Sequence, residues 1–406
     1  MTDNHTTFLS AFRFNRMELA GSLGDLGTLL PLAMGLIMVN GLDPVGLFVS
    51  VGLLYILGGL YYRVPIAVQP MKVISAYAIA TAATPAQISA SGWLLAGMLL
   101  FLGVSGLVDR VSRLIPVCVV RGVQLSTGVL LMSKGASFIA GTSAYQQAQG
   151  APEPFLSVQF LGPVPVGALI GAVLGVAALL LLNSRRFPAG LVVVVAGFGC
   201  GLLLGGASGL GGVHAGFFLP EILPFGLPSG VDFTWALLAL ALPQIPMTLG
   251  NAVIANRDLS HEYFGGQSRR VTDRALCVSM GLANMLAALL GGMPLCHGAG
   301  GLAAHYRFGA RTAGSNLLIG GGFLVLALGL GAGALLVLRL IPLAALGVLL
   351  VFAGVQLGLA IMDLRKRSDM FVTLAMCGIA LGLNLAWAFG AGLGLALVLR
   401  KGTVRV

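Results

Sequence analysis

Apolar runs long enough to cross a bilayer recur along almost the whole chain, from residue 22 to residue 399. A bilayer core is about 30 Å thick and takes roughly 20 apolar residues as a helix. Backbone at that depth has no water to bond to, so only helices and closed barrels span it. Nothing here alternates with period two over successive short segments, which excludes a barrel. The fold class that remains is an all-α polytopic membrane protein. Only 9% of the 406 residues are charged, against roughly 25% in soluble domains. The 60 glycines suit helices that pack closely in lipid.

The same reading excludes several function classes. Five cysteines (Cys118, Cys200, Cys277, Cys296, Cys377) are scattered without CxxC spacing, so neither a disulfide framework nor a metal cluster is expected. The net charge of +10 is spread in short clusters between apolar runs and does not form a nucleic-acid patch. HExxH, a Walker loop and a paired intramembrane carboxylate site are all missing from the string, so no enzyme, cofactor or direct ATP drive is expected. The polar start "MTDNHTTFLSAFRFNRMELAG" has no signal-peptide core.

Fourteen membrane segments are expected near 20–40, 45–62, 64–84, 92–108, 114–139, 161–183, 187–206, 231–256, 273–292, 294–310, 313–337, 340–362, 370–384 and 386–400. With both termini in the cytoplasm, the inner ends collect the basic residues, among them Arg63, Arg121, Arg185, Arg186, Arg257, Arg270, Arg274, Arg307, Lys401 and Arg405. The outside keeps Arg339, while Lys72 and Lys134 fall within spans. That asymmetry sets the orientation in the cell membrane.

The chain also repeats itself. "LPLAMGLIMVNGLD" (30–43) aligns with "IPMTLGNAVIANRD" (245–258) through the proline, the following glycine and the aspartate. "RLIPVCVVRGVQLSTG" (113–128) aligns with "RLIPLAALGVLLVFAG" (339–354) through its first four residues and its last glycine. Between these anchors "VPIAVQPMK" (64–72) aligns with "MPLCHGAGG" (293–301). The long basic loop "RDLSHEYFGGQSRRVTDR" absorbs the difference in spacing. Residues 1–206 and 231–406 are thus two seven-segment repeats joined by an extracytoplasmic loop, 207–230. An odd number of crossings inverts the second copy.

Inverted repeats of this kind carry broken helices near the bilayer midplane, with helix starts aimed at the substrate. Both nonapeptides have that grammar: a proline-led extended stretch, then a helix start. Free N–H groups at 70–73 and at Gly298, Ala299, Gly300 and Gly301 are expected to cradle an anion. Gln69 lies in the first stretch. Lys72, in a first helical turn, opposes its own helix dipole, which an anion offsets; snorkelling or pairing with Asp25 are the alternatives. Asp25 is read as an interfacial cap, a counter-ion to Lys72 or a proton carrier. His297 is read as a substrate donor or a titrating switch, with a packing role as the alternative. Cys296 is a packing residue. Gln244, Thr248 and Asn251 share a helical face by spacing. Together with Thr28 they serve either the substrate or neighbouring helices.

"ELAGSLGDLGTLLPLAMGL", "VPIAVQPMK", "ALPQIPMTLGNAVIAN" and "PLCHGAGGLAAHYRFGARTAGSNLLIG" resemble the signature segments of the plant-type molybdate transporter family, a branch of the sulfate permease superfamily. The resemblance implies the uracil/sulfate permease-like fold: a core of segments 1–4 and 8–11, a gate of segments 5–7 and 12–14, and discontinuous helices 3 and 10 around the substrate. It implies a secondary active transporter of molybdate working by alternating access, without the STAS domain that many sulfate permeases carry, and a homodimer. A sulfate, tungstate or nucleobase permease and an anion channel of the same fold are the competing readings.

Overall fold

The computed structural model describes residues 11–182, 184, 187–205 and 213–400. Arg185, Arg186, Lys401, Arg405, both chain termini and the junction 206–212 lie outside the described residues. Helices occur at each of the fourteen expected places. Five are at least 18 residues long and apolar enough to cross a membrane, and a sixth counts if the bent pair in segment 1 is one span. The others are shorter apolar helices such as Val166–Leu181, Ala189–Gly205, Gly314–Leu330 and Leu385–Arg400.

Segment 1 departs from a straight span. It is two helices, Arg16–Ser22 and Leu26–Met38, meeting at 41°, with Asp25 in the N-cap position of the second. Segment 3 is helical only over Lys72–Thr81 and segment 10 only over Ala299–Phe308. At 1.5 Å per residue each is about 15 Å long, half a bilayer. Segment 8 is the longest, a continuous helical run over Gly230–Ser268. Its lower part, Asn256–Phe264, is helix where a basic loop was expected; no breaker interrupts it until Gly265, whose φ is +53°. Pro243 and Pro246 interrupt the α ladder of this segment. π-helical turns flank them at Leu237–Ala241 and Thr248–Ala255.

The short strands are β1 (Gln69–Pro70), β2 (Phe160–Leu161), β3 (Val164–Pro165) and β4 (Leu295–Cys296). β2 and β3 form a small hairpin outside the spans. β1 and β4 come from the two broken segments and pair antiparallel, Gln69 opposite Cys296 and Pro70 opposite Leu295.

Packing follows the repeat. Segments 5 and 12, 4 and 9, and 2 and 11 lie against each other. Segments 5 and 12 meet glycine to glycine. A Cβ on Gly128 would fall 2.6 Å from the Gly354 carbonyl oxygen, and one on Gly354 would fall 2.5 Å from that of Gly128. Gly135 and Gly347 repeat the contact two turns away. Gly128 and Gly354 are the matching last glycines of the repeat anchors, so copies of one position touch each other. Small residues here let two backbones approach without hydrophobic drive, which lipid does not supply.

Candidate functional site

Extended backbone at membrane depth has to find partners inside the protein. β1 and β4 partner each other, and side chains complete the rest. Asn284 of segment 9 bonds both polar groups of Leu295, donating to its carbonyl at 2.9 Å and accepting from its N–H at 3.0 Å. Asn316 of segment 11 does the same for Ile66, at 2.8 and 3.1 Å. Asn40 donates to the carbonyls of Ala78 and Ala83 at the far end of helix 3. These asparagines went unnoticed in the sequence. Each is a polar residue in a largely apolar segment, and that does not say which strand or helix end is served.

His297 belongs to this scaffold. Its Nδ1 lies 2.8 Å from the Ala67 carbonyl and its Nε2 2.9 Å from the Ser279 hydroxyl, which lies 2.8 Å from the Tyr62 hydroxyl. A carbonyl only accepts, so Nδ1 carries the hydrogen and a neutral ring satisfies every partner. The ring is fully buried and lines neither of the cavities described below. His305 is held the same way, by the Gly21 carbonyl at 2.8 Å and the Tyr55 hydroxyl at 3.2 Å.

Between the broken segments and segments 1, 5, 6, 7, 8 and 12 lies a cavity of about 500 Å³. Of the expected site residues, Thr28, Lys72, Asn251 and Gly300 line it. Gln69, Gln244, Thr248, Gly298, Ala299, Gly301 and Asp25 are buried behind that lining. Gln124 of segment 5, which the sequence reading missed, joins the wall. Ser184, Arg307 and Phe308 line the far end, so the cavity runs from the break toward the arginine-bearing end of segment 10.

The two helix starts are dressed differently. Gln244 Oε1 accepts from the Val73 N–H at 3.0 Å and the Ile74 N–H at 3.4 Å, while its Nε2 donates to Thr248 Oγ1 at 2.9 Å. The Met71 N–H goes to the Pro294 carbonyl at 2.9 Å, and Pro70 has none. The expected cradle at 70–73 is therefore already occupied, apart from the Lys72 N–H. Helix 10 has Gly298 as N-cap, with no side-chain cap. Of its first-turn N–H groups, that of Gly301 bonds the Gly298 carbonyl at 3.1 Å; those of Ala299 and Gly300 have no i−4 acceptor in the helix, and Gly300 is exposed to the cavity. Thr248 and Asn251 do not share a face. The π turn between them is wider than an α turn, so Asn251 reaches the cavity and Thr248 stays buried.

Charge completes the site. Lys72 is partly exposed and forms no ion pair among the described residues, whose pairs are Arg121–Asp363, Arg257–Asp258 and Arg257–Asp273. The Asp25 pairing is therefore not made. Asp25 Oδ1 instead accepts from Gln69 Nε2 at 2.8 Å, and Asp25 Oδ2 and Gln69 Oε1 are buried without a partner. A lysine and an open helix start facing one cavity suit an anion with several acceptor oxygens.

Comparison with known proteins gives the same picture. The family described as molybdate transporter of MFS superfamily matches residues 17–131 and 236–357. Molybdate transporter 2 of Arabidopsis thaliana is 32% identical over 95% of this chain and 88% of its own length. Molybdate transporter 1 of Chlamydomonas reinhardtii is 31% identical over 93% and 90%. The transmembrane domain of a cyanobacterium bicarbonate transporter, BicA, superposes with a TM-score of 0.68 at 17% identity, covering 94% of this chain and 98% of that one. Murine Slc26a9, an anion transporter in the inward-facing state, gives 0.68 at 15%, covering 99% and 71%. The fold is thus the seven-plus-seven inverted repeat of those proteins, and not the paired six-segment halves that the MFS label denotes.

Proposed function

This chain belongs to the molybdate transporter family, and from that premise we propose that it carries molybdate across the cell membrane by alternating access. The carrying observation is the cavity that joins Lys72 to the uncapped start of helix 10. Lys72 supplies the counter-charge, and the Ala299 and Gly300 N–H groups at the start of helix 10, Thr28 and Asn251 supply donors. Gln69, Gln244, Thr248, His297, Gly298 and Gly301 hold these groups in place from behind. The cavity reaches Arg307 at the arginine-bearing end, which faces the cytoplasm in this reading, so the state is inward-facing. An arginine at the mouth raises the local concentration of anions.

Alternating access moves segments 1–4 and 8–11 against segments 5–7 and 12–14, because the cavity lies where the two groups meet. Asp25, whose Oδ2 is unpartnered, is the residue placed to take up a coupling proton. Collapsing the proton gradient should cut uptake into proteoliposomes by the wild type and leave an Asp25→Asn variant unaffected; wild-type uptake indifferent to the gradient rules the coupling out.

Calorimetry on the detergent-purified protein tests the substrate. Molybdate binding that survives excess sulfate and weakens about tenfold to a hundredfold in Lys72→Ala, the range for a charge-assisted contact, supports the reading. Binding abolished by sulfate makes the chain a general sulfate permease, and binding unchanged in the variant moves the site elsewhere.

A further inference from the structure

A second cavity, of about 630 Å³, lies between segments 2 and 9 with Val104 of segment 4 at its edge. It shares no lining residue with the anion cavity. Leu57, Tyr61, Val104 and Leu282 on its rim are exposed, so it opens sideways, toward lipid. Its trough is apolar, formed by Leu54, Leu57, Val278, Leu282 and Leu286.

One end is basic. Arg274, in the first turn of segment 9, lines the cavity and is exposed. It has no ion pair among the described residues, and its neighbour Asp273 is engaged by Arg257. Arg270 bonds the Tyr61 carbonyl at 2.9 Å, with its guanidinium 6.0 Å from that ring. An exposed tyrosine beside arginines marks headgroup depth. From Arg274 to Leu286 the helix rises about 18 Å, close to the roughly 15 Å of a single leaflet's hydrocarbon.

We propose that this groove seats an anionic phospholipid of the leaflet at the arginine end, its phosphate on Arg274 and Arg270 and an acyl chain along the trough. A soluble anion has no use for the apolar trough, and an uncharged lipid none for the arginines. The occupant lies against Tyr62 and Ser279, whose hydroxyls lead to His297 in the break of segment 10. The site therefore touches the scaffold of the anion cavity without entering it.

Native mass spectrometry of the full-length protein, offered phosphatidylglycerol or phosphatidylcholine in detergent, tests the assignment. One phosphatidylglycerol should be retained in preference, by about fivefold for each arginine near the phosphate. Arg274→Gln should lower that preference about fivefold. Leu282→Trp, which fills the trough from an exposed position, should abolish retention with the arginines intact. Equal retention of both lipids by the wild type overturns the proposal, as does a preference that Arg274→Gln leaves unchanged. Retention undiminished in Leu282→Trp overturns it too, by showing a headgroup on surface arginines with the groove empty.

Discussion

Helix 3 starts at Lys72 with the Gln244 amide lying across its first N–H groups. Helix 10, its repeat copy, starts at Ala299 behind a glycine N-cap and opens into the cavity. The backbones match: a half-bilayer helix follows a two-residue strand, and the strands pair across the pseudo-twofold relation. The side chains do not. One copy brings a fixed positive charge and has its helix start covered, and the other brings bare N–H groups. The repeat supplies the scaffold, and differences at a few positions decide which helix start is covered and which opens to the cavity.

The sharpest way to break this contrast is to give helix 10 a side chain where it has none. A Cβ at Gly301 would sit 2.7 Å from Ala67 Cβ and 2.8 Å from Gln69 Nε2, and would collide with Asp25 Oδ2. These atoms belong to buried groups held in place by hydrogen bonds, so Gly301→Val should destabilise the fold by about 3 kcal/mol. Little monodisperse protein should be recovered; normal yield and melting would show that the break tolerates bulk.

The next test moves to another pair of repeat copies. Segment 5 begins at Pro116 with no side-chain cap. Segment 12 begins at Pro342 with the Glu153 carboxylate accepting the Leu343 and Ala344 N–H groups, both at 2.8 Å. Glu153 comes from the loop after segment 5 and is fully buried. Burial pushes its carboxyl up to about 7, against the two N–H donors that favour the charge. A raised pKa means the folded state favours the protonated form. The stabilisation is complete below the usual value of 4.5 and is lost as pH rises through about 7. The shift corresponds to something on the order of 3 kcal/mol. The melting temperature in detergent should fall between about pH 5 and about pH 8, and Glu153→Gln should flatten that slope. An unaltered slope in the variant would assign the pH dependence to another group.

Lys72→Ala removes the charge from the covered copy and should weaken molybdate binding about tenfold to a hundredfold with little change in melting. Gln244→Leu uncovers the same helix start. The orphaned Val73 and Ile74 N–H groups should lower stability by about 1–2 kcal/mol, whereas affinity should hold within about threefold. A collapse of affinity comparable with that of Lys72→Ala would make Gln244 a ligand. The smallest effect is expected from Gly300→Ala, whose Cβ would meet only Lys72 Nζ, at 3.9 Å. Melting should be unchanged and affinity reduced less than in Lys72→Ala; a lost fold in this variant would mean that the turn needs glycine for its backbone.

The positions of the segments were legible in the string because each apolar run answers to one local constraint, the thickness of the bilayer. The inverted relation was legible too, since matching prolines, glycines and the RLIP pair survive in order. So was the existence of two broken helices, because Pro70, Pro294 and the glycines at 298, 300 and 301 have local backbone consequences. The bend at Asp25, the π turns that separate Thr248 from Asn251, and the helical Asn256–Phe264 were not legible, because hydropathy does not record hydrogen-bond register.

Least legible was the division of labour among polar residues. Asp25, Gln69, Gln244, His297, Lys72 and Asn251 look alike in sequence, each a polar side chain in an apolar run. Which of them faces the cavity depends on whether a backbone group from a distant segment lies within 3 Å or so to occupy it. Ala67 holds His297 from 230 positions away, and Val73 holds Gln244 from 171. Lys72 and Gly300 are left to the cavity. The sequence by itself determined where the chain crosses the bilayer and where it must break, since those are local demands of lipid and backbone. Only the tertiary structure decided which polar groups remain for a ligand, because that is settled by partners the chain brings together from far apart.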